Sequence, residues 1–339
     1  MFQPKPLPRN LQAALRDARS PKTAVRRAAV RDLGRLARGE AWKDAAQALR
    51  ASLRDDSHAS IRAEAALALA DGEVRVAVDD LILAAADLHP EVRQMALLAL
   101  GELGARGHVD TSRVISNALS DAVPELRFQA LIAAVHLELP GIGARLEVAF
   151  GDEDAQVRYI ALRLADEVSE TQGGLRATVR DAASLLLGDD VLAVRAAAVI
   201  LLGGMPRERC AAVLAEAINS NLRLPAPEDE QALIELAGEL GVTEAIHGLS
   251  RHAFGRFGLV PGRFAWQAKI ALARLGDPRA QGVLLKSLKS RDRDARTVAV
   301  VAVGRARLTQ AIPILQELRA KGSADAEALT EALTALDAD

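Results

Sequence analysis

The chain has 339 residues, half of them hydrophobic, and a formal net charge of −2 at pH 7. A single core stops growing near ~250–300 residues, so this length predicts either two domains or an extended array of repeats. The near-neutral charge argues against a generally basic nucleic-acid-binding molecule. The aromatic content is low, with six Phe, two Trp and one Tyr, and most hydrophobic residues are Ala, Leu and Val. This composition favours closely packed helices over a β-sandwich.

The beginning of the chain gives no targeting or membrane signal. The stretch MFQPKPLPRN is rich in proline and lacks the apolar core of a signal peptide. No uncharged apolar run approaches the ~18 residues of a membrane span. The single cysteine, Cys210, cannot form an internal disulfide, which fits a reducing compartment. We therefore expect a cytoplasmic protein without a membrane anchor.

One pattern recurs along most of the chain, clearly over about 10–218 and again over 277–320. A small polar residue is followed, six positions later, by arginine and then, three positions after that, by alanine. The period is roughly 34 residues, which is long enough for two helices and two turns. The recurring arginines are Arg26, Arg62, Arg93, Arg127, Arg158, Arg195 and Arg296. Two degenerate copies, around Glu230 and Ala265, bring the count to about nine.

The alanine and the polar residue of each copy predict how the repeat folds. An invariant alanine marks the place where two helices approach most closely, because a larger side chain would separate them. The alanines are Ala29, Ala65, Ala96, Ala130, Ala161, Ala198 and Ala299. Asp or Ser side chains satisfy free backbone N–H groups at turns and helix starts. These residues are Ser20, Asp56, Asp87, Asp121, Asp152, Asp189 and Ser290.

The pattern D-x-x-x-x-V-R-x-x-A-x-x-x-L-G resembles the HEAT repeat in its short bacterial form. The resemblance implies an all-α fold, a right-handed α-solenoid (superhelix) of about nine helix-pair repeats with the second helix of each pair on the concave side. We expect one such solenoid over residues 1–339, with irregular repeats over about 219–276 and a C-terminal capping helix over about 323–337.

The arginine column has two interpretations. Seven guanidinium groups in a row could bind phosphate or a carboxylate-rich peptide. The turn aspartates would neutralise such a row, however, so we expect the seven arginines to form a structural Arg ladder that joins successive repeats.

The regular pattern fails between about Asn219 and Lys269, and we expect the partner-binding site there. Residues freed from repeat packing are available for binding, and aromatic and Arg side chains dominate interface energetics. No Asp or Glu occurs between Glu244 and Asp277. The candidate site residues are Arg251, Phe254, Arg256, Phe257, Arg263, Phe264, Trp266 and Lys269. The alternative is that the aromatic side chains fill an irregular layer of the core.

Charge is segregated along the chain. Residues 1–54 carry 13 basic and 4 acidic residues, 55–244 carry 15 and 32, and 245–309 carry 13 and 3. Two basic segments around an acidic middle could hold an acidic partner at the ends or a basic one along the centre, and self-association is also compatible with them.

The sequence offers no catalytic or metal-binding constellation. There is no phosphate-binding loop, and the six histidines lack metal-ligand spacing. We therefore expect no cofactor, no metal and no enzymatic activity.

The favoured function is a protein-binding scaffold or adaptor whose partner is another protein. One alternative is a nucleic-acid binder or a HEAT-like DNA glycosylase, which Trp42 and Trp266 in basic segments would suit; we do not expect nucleic acid, because the centre of the chain is acidic. A second alternative is a lyase-type or chaperone-like HEAT protein, since bilin-lyase relatives also use short HEAT-like repeats.

Overall fold

The computed structural model describes residues 9–104, 107–171, 176–255 and 260–337. Every regular element in these ranges is helical: twenty α-helices, three of which are preceded by a short 3-10 turn. The prediction of an all-α solenoid is confirmed. None of the described helices is long and apolar enough to cross a bilayer.

The chain divides into two compact units, Met1–Arg176 and Ala177–Asp339. Within the described residues each unit consists of five helix pairs, and we call the first helix of a pair A and the second B. The pairs of unit 1 are α1 (Leu11–Asp17) with α2 (Thr23–Leu36), α3 (Trp42–Asp55) with α4 (Ala59–Asp71), α5 (Val78–Ala84) with α6 (Pro90–Glu102), α7 (Val109–Ala118) with α8 (Pro124–His136), and α9 (Ile142–Phe150) with α10 (Ala155–Thr171). The pairs of unit 2 are α11 (Arg176–Leu186) with α12 (Leu192–Leu201), α13 (Arg207–Ser220) with α14 (Pro227–Glu239), α15 (Ile246–Phe254) with α16 (Ala265–Arg274), α17 (Pro278–Ser287) with α18 (Arg293–Arg305), and α19 (Ile312–Ala320) with α20 (Ala326–Asp337).

In each unit the B helices pack against one another from pair to pair. The recurring alanine of every clear copy is fully buried, as a close helix contact requires. A glycine five residues further on allows the same approach. A Cβ added to Gly34 would lie 2.9 Å from the carbonyl oxygen of Ala68, and one added to Gly304 would lie 2.9 Å from the Cα of Ala332. Small residues therefore line the places where neighbouring B helices touch, while larger side chains such as Leu33, Leu49 and Leu69 fill the core around them.

In the seven clear copies, the turn before the B helix is held by the polar residue of the repeat. Asp56 Oδ1 accepts a hydrogen bond from the backbone N–H of His58 at 2.9 Å, and Asp152 Oδ1 accepts one from Asp154 at 2.8 Å. Equivalent contacts are made by Ser20, Asp87, Asp121, Asp189 and Ser290. The polar residue lies three positions before the helix begins, and its side chain closes the turn by binding the N–H two residues further on.

Nine pairs correspond to the nine copies of the sequence pattern. The tenth, α19 with α20, follows the last arginine copy and has no arginine of its own in the equivalent place. The two degenerate copies lie on α14 and at the start of α16, so the irregular region keeps the helix-pair architecture while losing the arginine.

Candidate binding surface

Each arginine of the repeat ties its own turn to its own helix. Its Nη1 donates a hydrogen bond to the carbonyl oxygen six residues earlier, as in Arg26 to Ser20 at 2.9 Å and Arg195 to Asp189 at 2.8 Å. The same bond is made by Arg62, Arg93, Arg127, Arg158 and Arg296. One guanidinium edge is therefore engaged in every clear copy.

In unit 1 the other edge reaches the next repeat. Arg26 donates to both carboxylate oxygens of Asp56 at 2.7 and 3.0 Å. Arg127 does the same with Asp152 at 2.8 and 2.6 Å, and Arg62 with Asp87 at 2.8 and 2.9 Å. Such two-point pairs fix geometry as well as charge.

The link varies at three other positions. Arg93 approaches Asp121 only to 3.8 Å, and its buried Nε finds no acceptor among the described residues. In unit 2, Arg195 pairs with Glu216 at 2.7 Å. Arg296 donates to the carbonyl oxygen of Ser323 at 2.9 and 2.6 Å.

Pairing also shifts the acidity of the ladder aspartates. The hydrogen bond from Arg62 holds the pKa of Asp87 below its ordinary value. Burial alone would raise the pKa of Asp152, but hydrogen bonds from Arg127 and from the backbone of Asp154 outweigh it, and the pKa is lowered. These arginines and aspartates act together as neutralised links between repeats.

The degenerate copy on α14 keeps the turn contact, but here the side chain accepts the hydrogen bond and the backbone donates it. Glu230 stands where the other copies have arginine, and its Oε1 accepts a hydrogen bond from the backbone N–H of Leu224, six residues earlier, at 3.2 Å. Arg223 pairs with its Oε2 at 3.0 Å. The turn is tied, but no donor extends to the next repeat.

The segment singled out by the sequence lies on α15, on α16 and in the connection between them. Arg251 contacts the carbonyl oxygens of Ile218 and Asn219 at the end of α13. Phe264 and Trp266 are half-buried at the start of α16, and Arg263 is exposed. Arg256 and Phe257 lie outside the described residues.

Three side chains from three helices meet around one aromatic ring. The guanidinium carbon of Arg279, on α17, lies 3.5 Å from the ring centroid of Phe254, and Lys269 Nζ, on α16, lies 5.6 Å from it. We call Phe254, Lys269 and Arg279 the basic–aromatic cluster. Both distances are in the range of cation–π attraction. Burial, and then the charge of Arg279, lowers the pKa of Lys269.

The described residues on either side of the break between α15 and α16 lie close to the end of α15. Gly255 has φ 76°, and a Cβ at this position would lie 2.3 Å from the carbonyl oxygen of Val260, so only glycine fits. The backbone N–H of Gly262 donates to the carbonyl oxygen of His252 at 2.8 Å. Directly after Gly262, Arg263 lies over the ring of Phe264 at 5.4 Å, forming a second cation–aromatic pair.

The described cations of this region have no acidic partner among the described residues. Within the part of the chain that the structure describes, no carboxylate lies within 4.0 Å of Arg251, Arg263, Lys269, Arg274 or Arg279. Arg279 also makes no hydrogen bond to a described residue. Sequence reasoning ended the candidate site at Lys269 and missed Arg279, because only the packing of α17 beside α15 and α16 brings it to Phe254.

Other chemically capable groups lie apart from the cluster. Cys210 is fully buried, and burial raises the pKa of its thiol although Arg209 opposes the shift, which disfavours the reactive thiolate. No three His, Cys, Asp or Glu side chains come together as a metal site among the described residues. Trp42 is 42 % exposed in unit 1, with Lys43 at 5.7 Å from its ring.

Comparison with known proteins shows the fold alone. No family model matches the chain, and no curated protein sequence matches it. An engineered protein of known structure is similar over 96 % of this chain and 98 % of its own, with a TM-score of 0.51 and 18 % identity. A designed armadillo repeat protein covers 57 % of this chain and 98 % of its own at 17 % identity and a TM-score of 0.42. The CpcE–CpcF phycocyanin lyase complex from Nostoc sp. PCC 7120 gives 18 % identity and a TM-score of 0.45, with 74 % of this chain and 96 % of the matched chain covered. The chain is a helical-repeat solenoid.

Proposed function

We propose that the protein is a non-catalytic, HEAT-like binding scaffold of the cytoplasm, and that another protein docks on the basic–aromatic cluster of unit 2. The observation that carries the proposal is the contrast between paired and unpaired cations. The ladder arginines are engaged by carbonyl and carboxylate groups, whereas Arg279 and Lys269 lie beside an aromatic ring and have no carboxylate partner among the described residues. A surface with free donors beside apolar area is suited to an interface.

The chemistry of the cluster supports recognition. It combines positive charge with aromatic surface and contains no carboxylate, thiol or imidazole. Stacking on Phe254 restricts the guanidinium of Arg279, which reduces the entropy lost when a partner binds. The pair of Arg263 and Phe264 at the start of α16 repeats the same combination.

The test is a pull-down from the native cell extract with mass spectrometry, comparing wild type, Arg279→Glu and Lys286→Glu. Both variants change the charge by the same amount on the same helix, and both side chains are exposed. Lys286 has no aromatic contact among the described residues. The proposal requires a partner protein that is recovered by wild type and Lys286→Glu and lost from Arg279→Glu.

Two results would contradict the proposal. A partner recovered equally by all three proteins would place the binding site elsewhere. Recovery of nucleic acid alone, released by salt, would favour a nucleic-acid binder.

A further inference from the structure

The donors of Arg279 define what kind of partner group fits the cluster. The guanidinium carbon is 3.5 Å from the Phe254 centroid, which is stacking contact. A guanidinium carries its five N–H donors around its edge, so a stacked group keeps them available while its face is covered. Arg279 is exposed and donates to no described residue. Its edge is therefore a preoriented fork of the kind that binds a carboxylate at two points.

Lys269 adds a second, partly desolvated positive charge. It is half-buried on α16, and its ammonium lies 5.6 Å from the same ring. Removing an ammonium from water without a counter-ion is unfavourable, and burial together with Arg279 lowers the pKa of this group. An incoming negative charge would offset both effects, because it would stand beside two cations at once.

The aromatic rings argue against nucleic acid as the source of that negative charge. Proteins that hold single strands stack bases on open aromatic faces. At Phe254 a ring face is already covered by Arg279, and Arg263 lies over the ring of Phe264 at 5.4 Å. The rings serve here as platforms for cations, and the groups directed outward are charged donors.

From this geometry we infer that the cluster recognises an acidic polypeptide segment, with one carboxylate held at two points by the edge of Arg279 and a second paired with Lys269. This inference rests on the proposed function and adds the chemistry of the partner. The region's own composition agrees with it, because residues 245–309 carry 13 basic and 3 acidic residues, so an acidic segment would reduce the local charge excess.

The experiment titrates the full chain with a short, fluorescently labelled peptide rich in aspartate and measures anisotropy at low and high ionic strength. The variants are Arg279→Met, Arg279→Lys and Lys269→Met, with Lys286→Met as the matched control. We expect Arg279→Met to weaken binding at least about tenfold, since it removes charge-assisted hydrogen bonds. Arg279→Lys should recover only part of the loss, because lysine lacks the planar fork. Lys286→Met should stay within about twofold of wild type.

Several outcomes would overturn the inference. Equal affinity of wild type and Arg279→Met for the peptide would do so. So would a single-stranded oligonucleotide that binds more tightly than the peptide and depends on Arg279. Full recovery in Arg279→Lys would show that charge alone matters and that the two-point contact is wrong.

Failure here is distinguishable from failure of the scaffold proposal. If the pull-down recovers a protein that Arg279→Glu loses, but the aspartate-rich peptide neither binds nor displaces it, the docking site stands and the acidic character of the partner is wrong. If neither readout depends on Arg279, both proposals fail.

Discussion

Arg127 of unit 1 and Arg279 of unit 2 are the same side chain in opposite situations. Arg127 is 9 % exposed and contacts Asp152, Glu153 and two turn carbonyls. Arg279 is exposed, lies on Phe254 and has no acceptor among the described residues. The difference teaches that the role of an arginine here depends on whether its neighbours supply acceptors. We expect ladder substitutions to change stability and cluster substitutions to change binding.

The largest expected effect is the loss of a buried ladder link. Arg127→Met leaves Asp152 without its two-point partner, and removing one member of a buried pair costs about 3 kcal/mol. Urea unfolding should show this decrease in the free energy of unfolding, while partner binding by unit 2 is retained. Arg113→Met is the control, because Arg113 is 67 % exposed and pairs with Asp110 on its own helix; its effect should stay within about 0.5 kcal/mol. Equal effects of the two variants would remove the distinction between ladder and surface arginines.

A second prediction concerns the inverted copy. Glu230→Arg restores the repeat pattern but removes the acceptor for the backbone N–H of Leu224 and puts a cation beside Arg223. Because the side chain of Glu230 is 11 % exposed, we expect a loss of about 2 kcal/mol, measured by urea unfolding. Adding Arg223→Glu should return part of it by restoring opposite charges. A single variant as stable as wild type would show that the α14 turn tolerates either polarity.

A third prediction uses pH. Because Arg62 donates a hydrogen bond to it, the pKa of Asp87 in the folded chain lies below its ordinary value of 3.8. The Arg62–Asp87 pair therefore stabilises the fold fully above pH 3.8, and this stabilisation is lost as the pH falls through the folded-state pKa. Asp87→Asn should therefore be less stable than wild type by about 1.5 kcal/mol near neutral pH, and the two curves should converge in acid. Asp79→Asn, at an 88 % exposed side chain, should follow wild type throughout. A constant gap between wild type and Asp87→Asn down to low pH would mean that the charge of Asp87 is irrelevant.

The smallest effect is a change in the acidity of one lysine. Arg279 contributes to the lowered pKa of Lys269, after burial. Replacing it by Met should raise that pKa towards 10.5, the ordinary value, and slow the reaction of Lys269 with an amine-directed reagent at neutral pH. Peptide mapping after competitive labelling gives the titration midpoint. An unchanged midpoint would show that Arg279 and Lys269 do not interact in solution.

The helices and their contacts could be predicted because the same residue types recur at the same spacing in each repeat. Alanine at a fixed distance from arginine marks a helix contact in any copy, and Ala29 and Ala299 are both fully buried. The arginine column was likewise visible from spacing. The contacts of this column with Asp56 and Asp87 can be predicted once successive repeats are known to stack.

The basic–aromatic cluster could be predicted only in part. Phe254 and Lys269 belong to the anomalous segment, but Arg279 lies on the following A helix and follows Asp277, where acidic residues resume. Contact between side chains 25 positions apart in an irregular region depends on how α15, α16 and α17 pack together, and no periodicity encodes that packing. The inverted contact of Glu230 did carry a signal, since a glutamate stands in the arginine column with Arg223 seven residues earlier.

The pairing of each ladder arginine with the aspartate of the following repeat bears on how the number of repeats in such a chain can change. In unit 1 a repeat such as that of Arg62 offers an arginine to the next repeat and an aspartate, Asp56, to the one before. An inserted duplicate of this repeat would therefore form one Arg–Asp pair with the repeat before it and one with the repeat after it, and the array could lengthen by whole repeats. The module containing Glu230 has Leu224 in place of the aspartate and glutamate in place of the arginine, so it can neither receive nor extend a link. The two-point Arg–Asp pairing seen in unit 1 is therefore not continued at this module, and Arg279 on α17, which follows it in the chain, has no acceptor among the described residues.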